Sequence, residues 1–327
     1  MDEVRVGLVG AGGIGLAHAD ALSKIPGATI VGIVDVNEQA AVTLAAQVGA
    51  RCFSSAAEIA EYGDLDAMFI LLPPFAHGEA ERAALDREIP FFVEKPVGLD
   101  RGFLNETASE VKRREVITAV GYMNRYRKGV QRCRELLKQE PGILAYGGWW
   151  AGTPGAGGHW WPDKAKSGGQ FHEQVTHTVD LARYFLGEAT EVYGAAARGF
   201  VKDLPGYSMD DAASVTIRFE SGAVATLMSS VSSNASGGIF LNLHSMNRTY
   251  KFRGWEHSLQ ILERDGEPEE IVGEPDIFTI EDAAFIEAVR RKDQSLIRCD
   301  YADGVKTALL SLAANRRIES GKPVTID

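Results

Sequence analysis

The stretch "VRVGLVGAGGIGLAHADAL", residues 4–22, decides the fold. A β-rich apolar run, "VRVGLV" (4–9), leads into Gly10-Ala-Gly12-Gly13-Ile14-Gly15, a complete G-x-G-x-x-G, and a helical pattern follows from residue 13 to about 25. Gly10 makes the turn, Gly12 lets the backbone approach a pyrophosphate, and Gly15 lets the helix pack close to the strand. The start of the helix then offers N–H groups and a positive dipole end to the phosphates. Such glycines also mark plain tight turns, so the context carries the weight. A strand precedes them, a helix follows, and Asp35 ends the second strand, 20 residues beyond Gly15. A dinucleotide site is expected. The Asp35 carboxylate suits a ribose diol and repels a 2′-phosphate, and neither Val36 nor Asn37 is an arginine. NAD is the expected cofactor, with NADP disfavoured.

Outward from this loop, short apolar runs alternate with amphipathic stretches. "TIVGIV" (29–34), "AMFILL" (67–72), "PFFV" (90–93) and "VITAV" (116–120) read as strands buried on both faces. Helices are expected near 37–48, 77–87 and 99–114. This alternation implies an α/β fold with a doubly wound parallel sheet, a Rossmann domain over residues 1–122. Residues 123–327 form the second domain. There the pattern turns to hairpins: in "ASVTIRFESGAVATLMSSV" (213–231) Val215, Ile217 and Phe219 alternate before a Ser-Gly turn. Further helices are expected near 170–186, 278–291 and 303–319.

The 327 residues are 45% hydrophobic and 24% charged, an ordinary balance for a globular chain with two domains. A net charge of −11 with no basic block argues against nucleic acid or an anionic membrane as partner. Three scattered cysteines, Cys52, Cys133 and Cys299, form no Cys-x-x-Cys pair, so neither a disulfide framework nor a cysteine zinc site is suggested. The first residues enter a strand directly, without the pattern of a signal peptide, and no apolar run is long enough to span a bilayer. A cytoplasmic protein is expected.

A second stretch, "SGGQFHEQVTHTVDLARYF" (167–185), resembles a zinc-peptidase helix at a glance. A zincin needs histidines four apart on one helix face. His172 and His177 are five apart, which separates them by about 140° around a helix. No metal is expected, and His172 reads as structural. Glu173, His177, Asp180 and Tyr184 instead fall at offsets of four, three and four, a polar stripe suited to proton handling. The alternative is a His177 that serves only a core hydrogen-bond network.

Four further motifs follow the glycine loop in order: "LLPPFAH" (71–77), "VEKPVGLD" (93–100), "VGYMNRY" (120–126) and "GGQFHEQVTHTVDLARYFLG" (168–187). With that loop they resemble the Gfo/Idh/MocA family of oxidoreductases over essentially the whole chain. The resemblance implies a C-terminal α/β domain with an open, mostly antiparallel sheet, whose exposed face joins subunits into a homodimer or homotetramer. It implies that Lys95 is the catalytic lysine that hydrogen-bonds the reacting oxygen, and that His177 is the general base. A surface lysine is usually just solvated; the setting between Glu94 and Pro96 at a strand end argues otherwise. Where inositol-dehydrogenase-like relatives carry aspartate, this chain has Glu173, one methylene longer, which either polarises His177 or meets substrate. On the cofactor side the resemblance adds Pro73, His77, Glu94 and Lys95 to the glycine loop and Asp35. On the substrate side it adds Tyr122, Arg125 and Asp180; Arg125 either binds hydroxyls or fixes the hinge, and Asp180 either touches substrate or braces its helix.

Four of the five tryptophans fall in "GGWWAGTPGAGGHWWPDKAKSGG" (147–169), with His159 among them. Trp149 and Trp150 are expected on a strand, one facing each way. Trp160 and Trp161 sit in a Gly/Pro-rich loop before the catalytic helix, where flat rings suit the C–H face of a sugar; packing is the other use of tryptophan. The expected function is NAD-linked hydride transfer at a secondary hydroxyl of a sugar, cyclitol or glycoside. Redox-assisted glycoside cleavage is one alternative and a non-catalytic nucleotide and sugar sensor another.

Overall fold

In the computed structural model, which describes residues 3–62, 64–154, 160–322 and 324–326, the chain forms two compact units. The first comprises Met1–Met123 and Asp276–Val305, the second Asn124–Pro275 and Lys306–Asp327. The sequence reading gave everything after residue 122 to the second domain. The difference lies in the helix Ile277–Arg291, whose Phe285 and Ile286 share one core with Leu8, Ile33, Phe69 and Phe92. Phe285 meets Phe69 edge-on at 5.3 Å. A parallel sheet needs both faces covered, and this segment returns to cover one.

In the first unit, β1 (Val4–Val9), β2 (Ala28–Val34), β3 (Arg51–Cys52), β4 (Ala67–Ile70), β5 (Phe91–Val93) and β6 (Thr118–Val120) pair in parallel in the order β3-β2-β1-β4-β5-β6. The order reverses beside β1, where a doubly wound sheet opens its crevice at the carboxyl ends of the strands. The helices Glu38–Val48 and Arg101–Arg114 begin where Asn37 and Asp100 accept the N–H of Ala40 and Phe103. Two elements had no sequence signal. β3 is two exposed residues, too short to show a period, and the helix Ala56–Glu61 is only six residues, capped by Ser55.

In the second unit, β7 (Leu144–Trp150), β8 (Ala189–Ala197), β9 (Ala212–Phe219), β10 (Val224–Ser230), β11 (Gly238–His244), β12 (Arg248–Arg253), β13 (Ser258–Glu263), β14 (Glu269–Ile271) and β15 (Val324–Thr325) form a nine-stranded sheet. Its order is β14-β13-β12-β11-β7-β10-β9-β8-β15, antiparallel apart from the β7/β10 pair. The expected hairpin is β9/β10, with Val215, Ile217 and Phe219 buried in the core. That core lies on one sheet face, under the helices Lys128–Leu137 and Thr176–Leu186 and residues Leu310, Ala313 and Ala314. The other face carries aromatic pairs: Trp150 stacks on Phe240 at 5.0 Å, and Tyr146 on His244 at 5.6 Å. Trp149 and Trp150 point to opposite faces, as strand alternation requires.

The helix expected over 170–186 is broken. Gln170–Glu173 and Thr176–Leu186 are separate, and the N–H of Val175 reaches back five residues to Gln170 at 3.1 Å. The first piece has its own anchor, since buried His172 bonds the Ser311 hydroxyl through Nδ1 at 2.7 Å. The wide turn shifts the helical phase between the piece that carries Glu173 and the piece that carries His177, Asp180 and Tyr184.

Candidate active site

The glycine loop divides its labour by space. A Cβ on Gly10 would stand 2.4 Å from the carbonyl oxygen of Leu71, and one on Gly15 would stand 2.3 Å from that of Gly10. Those two glycines serve the turn and the strand–helix approach. At Gly12 and Gly13 a Cβ would meet nothing within 4 Å, so the space beside the exposed backbone is open. The helix Gly13–Ser23 starts there with no side-chain cap and no acid in its first turn, and Ile14 is half-buried. A helix start leaves N–H groups without intrahelical partners. The loop therefore fits a pyrophosphate. Asp35 is tied to the same loop: Oδ2 accepts the N–H of Ala11 at 2.6 Å and Oδ1 that of Asn37 at 2.7 Å. Each oxygen keeps a second lone pair for a ribose hydroxyl.

Pro73 opens a short turn, Pro74–Ala76, and His77 closes it. His77 is held through Nδ1 by buried Glu81 at 2.6 Å, and the other Glu81 oxygen caps the next helix at the N–H of Gly78. At the end of β5, buried Glu94 accepts the N–H of Lys95 at 2.9 Å, and the Lys95 side chain is half-buried. Tyr122 lies just after β6 and is buried.

The sequence reading missed His18. Its ring is wholly buried, with Nδ1 2.9 Å from Asp282 and Nε2 3.1 Å from Glu94. Burial pulls the imidazole down, but Asp282 and Glu94 overcome this and raise it to about 10. Partners 264 and 76 residues away leave no local signal in the sequence.

In the second unit, His177 lies in the first turn of Thr176–Leu186, 5% exposed, with its ring against the indole of Trp149 at 6.5 Å and 30°. Trp149 in turn meets Trp255 edge-on at 6.0 Å, an aromatic partner the sequence did not suggest. Glu173 accepts the indole N–H of Trp161 at 2.6 Å, so the carboxylate expected beside His177 is joined to one of the loop tryptophans. Trp160 is half-buried beside it, and His159 lies outside the described residues. Arg125 and Asp180 take each other: Nε and a terminal nitrogen of Arg125 donate to the two Asp180 oxygens at 2.8 and 2.6 Å, with both residues buried. The Thr307 hydroxyl donates to the same carboxylate at 2.9 Å, and the guanidinium lies 4.7 Å over the Tyr184 ring. The network lies within the second unit and ties the Asp180 helix to Arg125 and Thr307. His172 and His177 stand on different helices.

Comparison with known proteins identifies the family. Residues 4–122 match the family model described as "Oxidoreductase family, NAD-binding Rossmann fold", and residues 143–251 match the "GFO/IDH/MocA C-terminal domain". The chain is 26% identical to scyllo-inositol 2-dehydrogenase (NAD(+)) of Bacillus subtilis over 99% of its own length and 97% of that protein's. It is 27% identical to myo-inositol 2-dehydrogenase of Thermotoga maritima over 68% and 67%. Among solved structures, levoglucosan dehydrogenase in complex with NADH shares the fold over the whole of both chains, with a TM-score of 0.89 at 19% identity. With both domains matched in order, the chain belongs to the Gfo/Idh/MocA family of NAD-binding oxidoreductases.

Proposed function

We propose that this protein oxidises, reversibly, a secondary hydroxyl of a sugar, cyclitol or glycoside, with NAD preferred over NADP. When bound, NAD supplies the hydride acceptor. Gly12, Gly13 and the first turn after them hold its pyrophosphate, and Asp35 takes the ribose diol. Lys95 donates a hydrogen bond to the reacting oxygen and favours its alkoxide form. His177 removes the hydroxyl proton, a task for which imidazole has the right intrinsic basicity.

The observation that carries the substrate class is the stack of His177 on Trp149, extended by Trp255. A base set against indole rings suits a substrate with an apolar C–H face and a hydroxyl at its edge. Relatives named for inositols support the same class. The exposed sheet face with Tyr146, Trp150, Phe240 and Tyr193 supports assembly into a homodimer or homotetramer. The test is NADH formation with scyllo-inositol, myo-inositol, levoglucosan and glucose 6-phosphate. Turnover is expected with at least one of them, lost in Lys95→Ala and cut by orders of magnitude in His177→Ala, with NAD binding kept in both. Full activity in Lys95→Ala would overturn the assignment.

A further inference from the structure

Beyond the residues assigned above, the first unit carries a buried ionic chain that ends at Lys95. His18 sits on the helix that opens at the glycine loop. Its Nδ1 lies 2.9 and 3.0 Å from the two oxygens of Asp282, and its Nε2 lies 3.1 Å from Oε1 of Glu94. The other oxygen of Glu94 accepts the N–H of Lys95. Ionised carboxylates only accept hydrogen bonds, so a ring between two of them is satisfied when both its nitrogens donate, as imidazolium. Asp282 and Glu94 are the titratable partners facing the ring. The rings of Phe69, Phe92 and Phe278 pack around it at 5.8, 5.1 and 5.2 Å and keep the surroundings apolar.

Stability alone does not call for such a group. Replacing a buried ionic cluster by apolar side chains is often neutral or stabilising, and phenylalanines already surround this one. The cluster does fix one thing closely, the place of the Glu94 carboxylate. His18 holds it from one side. On another, Gly121 leaves room for it, because a Cβ there would come 2.6 Å from Oε1 of Glu94.

We propose that His18 is a positioning residue for Lys95: clamped by Asp282, it holds the Glu94 carboxylate at the point where that group fixes the Lys95 main chain. This rests on the reading of Lys95 as the reacting ammonium, and the experiment separates the two. Coenzyme-free protein is pulsed with acetic anhydride across a pH series, and acetylation of Lys95 is read by peptide mass spectrometry, with Lys306 as internal reference. In His18→Gln and in Gly121→Ala the Lys95 curve is expected to move while that of Lys306 stays. Asp282→Asn, which keeps the shape and removes the outer charge, is expected to move it less. With the best substrate of the panel, kcat is expected to fall about 10- to 100-fold in the first two variants, with KM for NAD unchanged. Should His18→Gln fail to fold, Gly121→Ala decides, since it removes no ionisable group. Wild-type Lys95 acetylation and kcat in folded variants, beside an inactive Lys95→Ala, would reduce His18 to a tie between helix and sheet and overturn the proposal alone. An active Lys95→Ala would remove its foundation.

Discussion

The imidazole of His18 binds a proton far more tightly in the folded chain than in an unfolded one. Its value rises from 6.5 to about 10 on folding, so its contribution to stability is complete below pH 6.5 and is lost as pH climbs through the folded value. Wild-type protein is therefore expected to lose melting temperature between neutral pH and pH 10, and His18→Gln to show a flatter alkaline slope; parallel slopes in a pH series of thermal melts would contradict this. Residues of this kind mark the limit of sequence reading. Lys95 and Asp35 can be proposed from sequence because each stands at a strand end beside a local motif. His18, Asp282 and Trp255 cannot, because their partners come from distant segments and only the folded chain brings them together.

Among the elements, those with a long period or a cap were read within a few residues, as with β1, β2 and the helix Arg101–Arg114. The helix containing His177 was read as continuous because its polar stripe keeps a helical period across Val175. The backbone breaks that period with a wide turn that spacing alone does not reveal. On the first of the two pieces, Glu173 accepts the indole N–H of Trp161. The glycine loop offers the reverse case, in which the turn at Gly10 and the close packing at Gly15 are visible as space. Gly15→Ala would force a Cβ to 2.3 Å from a carbonyl oxygen, whereas Gly12→Ala meets nothing. The first is expected to lower the melting temperature by several degrees, and the second to keep it while weakening NAD binding at least about tenfold, the cost of crowding a close backbone approach to phosphate. Differential scanning fluorimetry with and without NAD distinguishes them; equal melting losses would refute the division of roles.

For the whole molecule, β-α alternation pointed to the parallel sheet, and the hairpin pattern with the family resemblance pointed to the antiparallel one; neither showed that Asp276–Val305 returns to the first unit. The outer face of the nine-stranded sheet bears exposed Tyr146 and Tyr193 and half-buried Trp150 and Phe240. Tyr146→Glu together with Phe240→Asp is expected to convert an oligomer to monomer by light scattering; an unchanged mass would exclude that face as the interface. Among the described residues no helix is long and apolar enough to cross a membrane.

The return of Asp276–Val305 to the first unit sets a rule for anyone dividing this gene. A fragment stopped after Met123 would keep all six parallel strands yet leave bare the patch that Phe285 and Ile286 cover, and it is apt to clump. The remainder would carry an orphan helix with nowhere to dock. Swapping coenzyme modules between relatives at that seam would therefore fail unless the later segment travelled with the earlier one, so the two stretches are heritable only as a set.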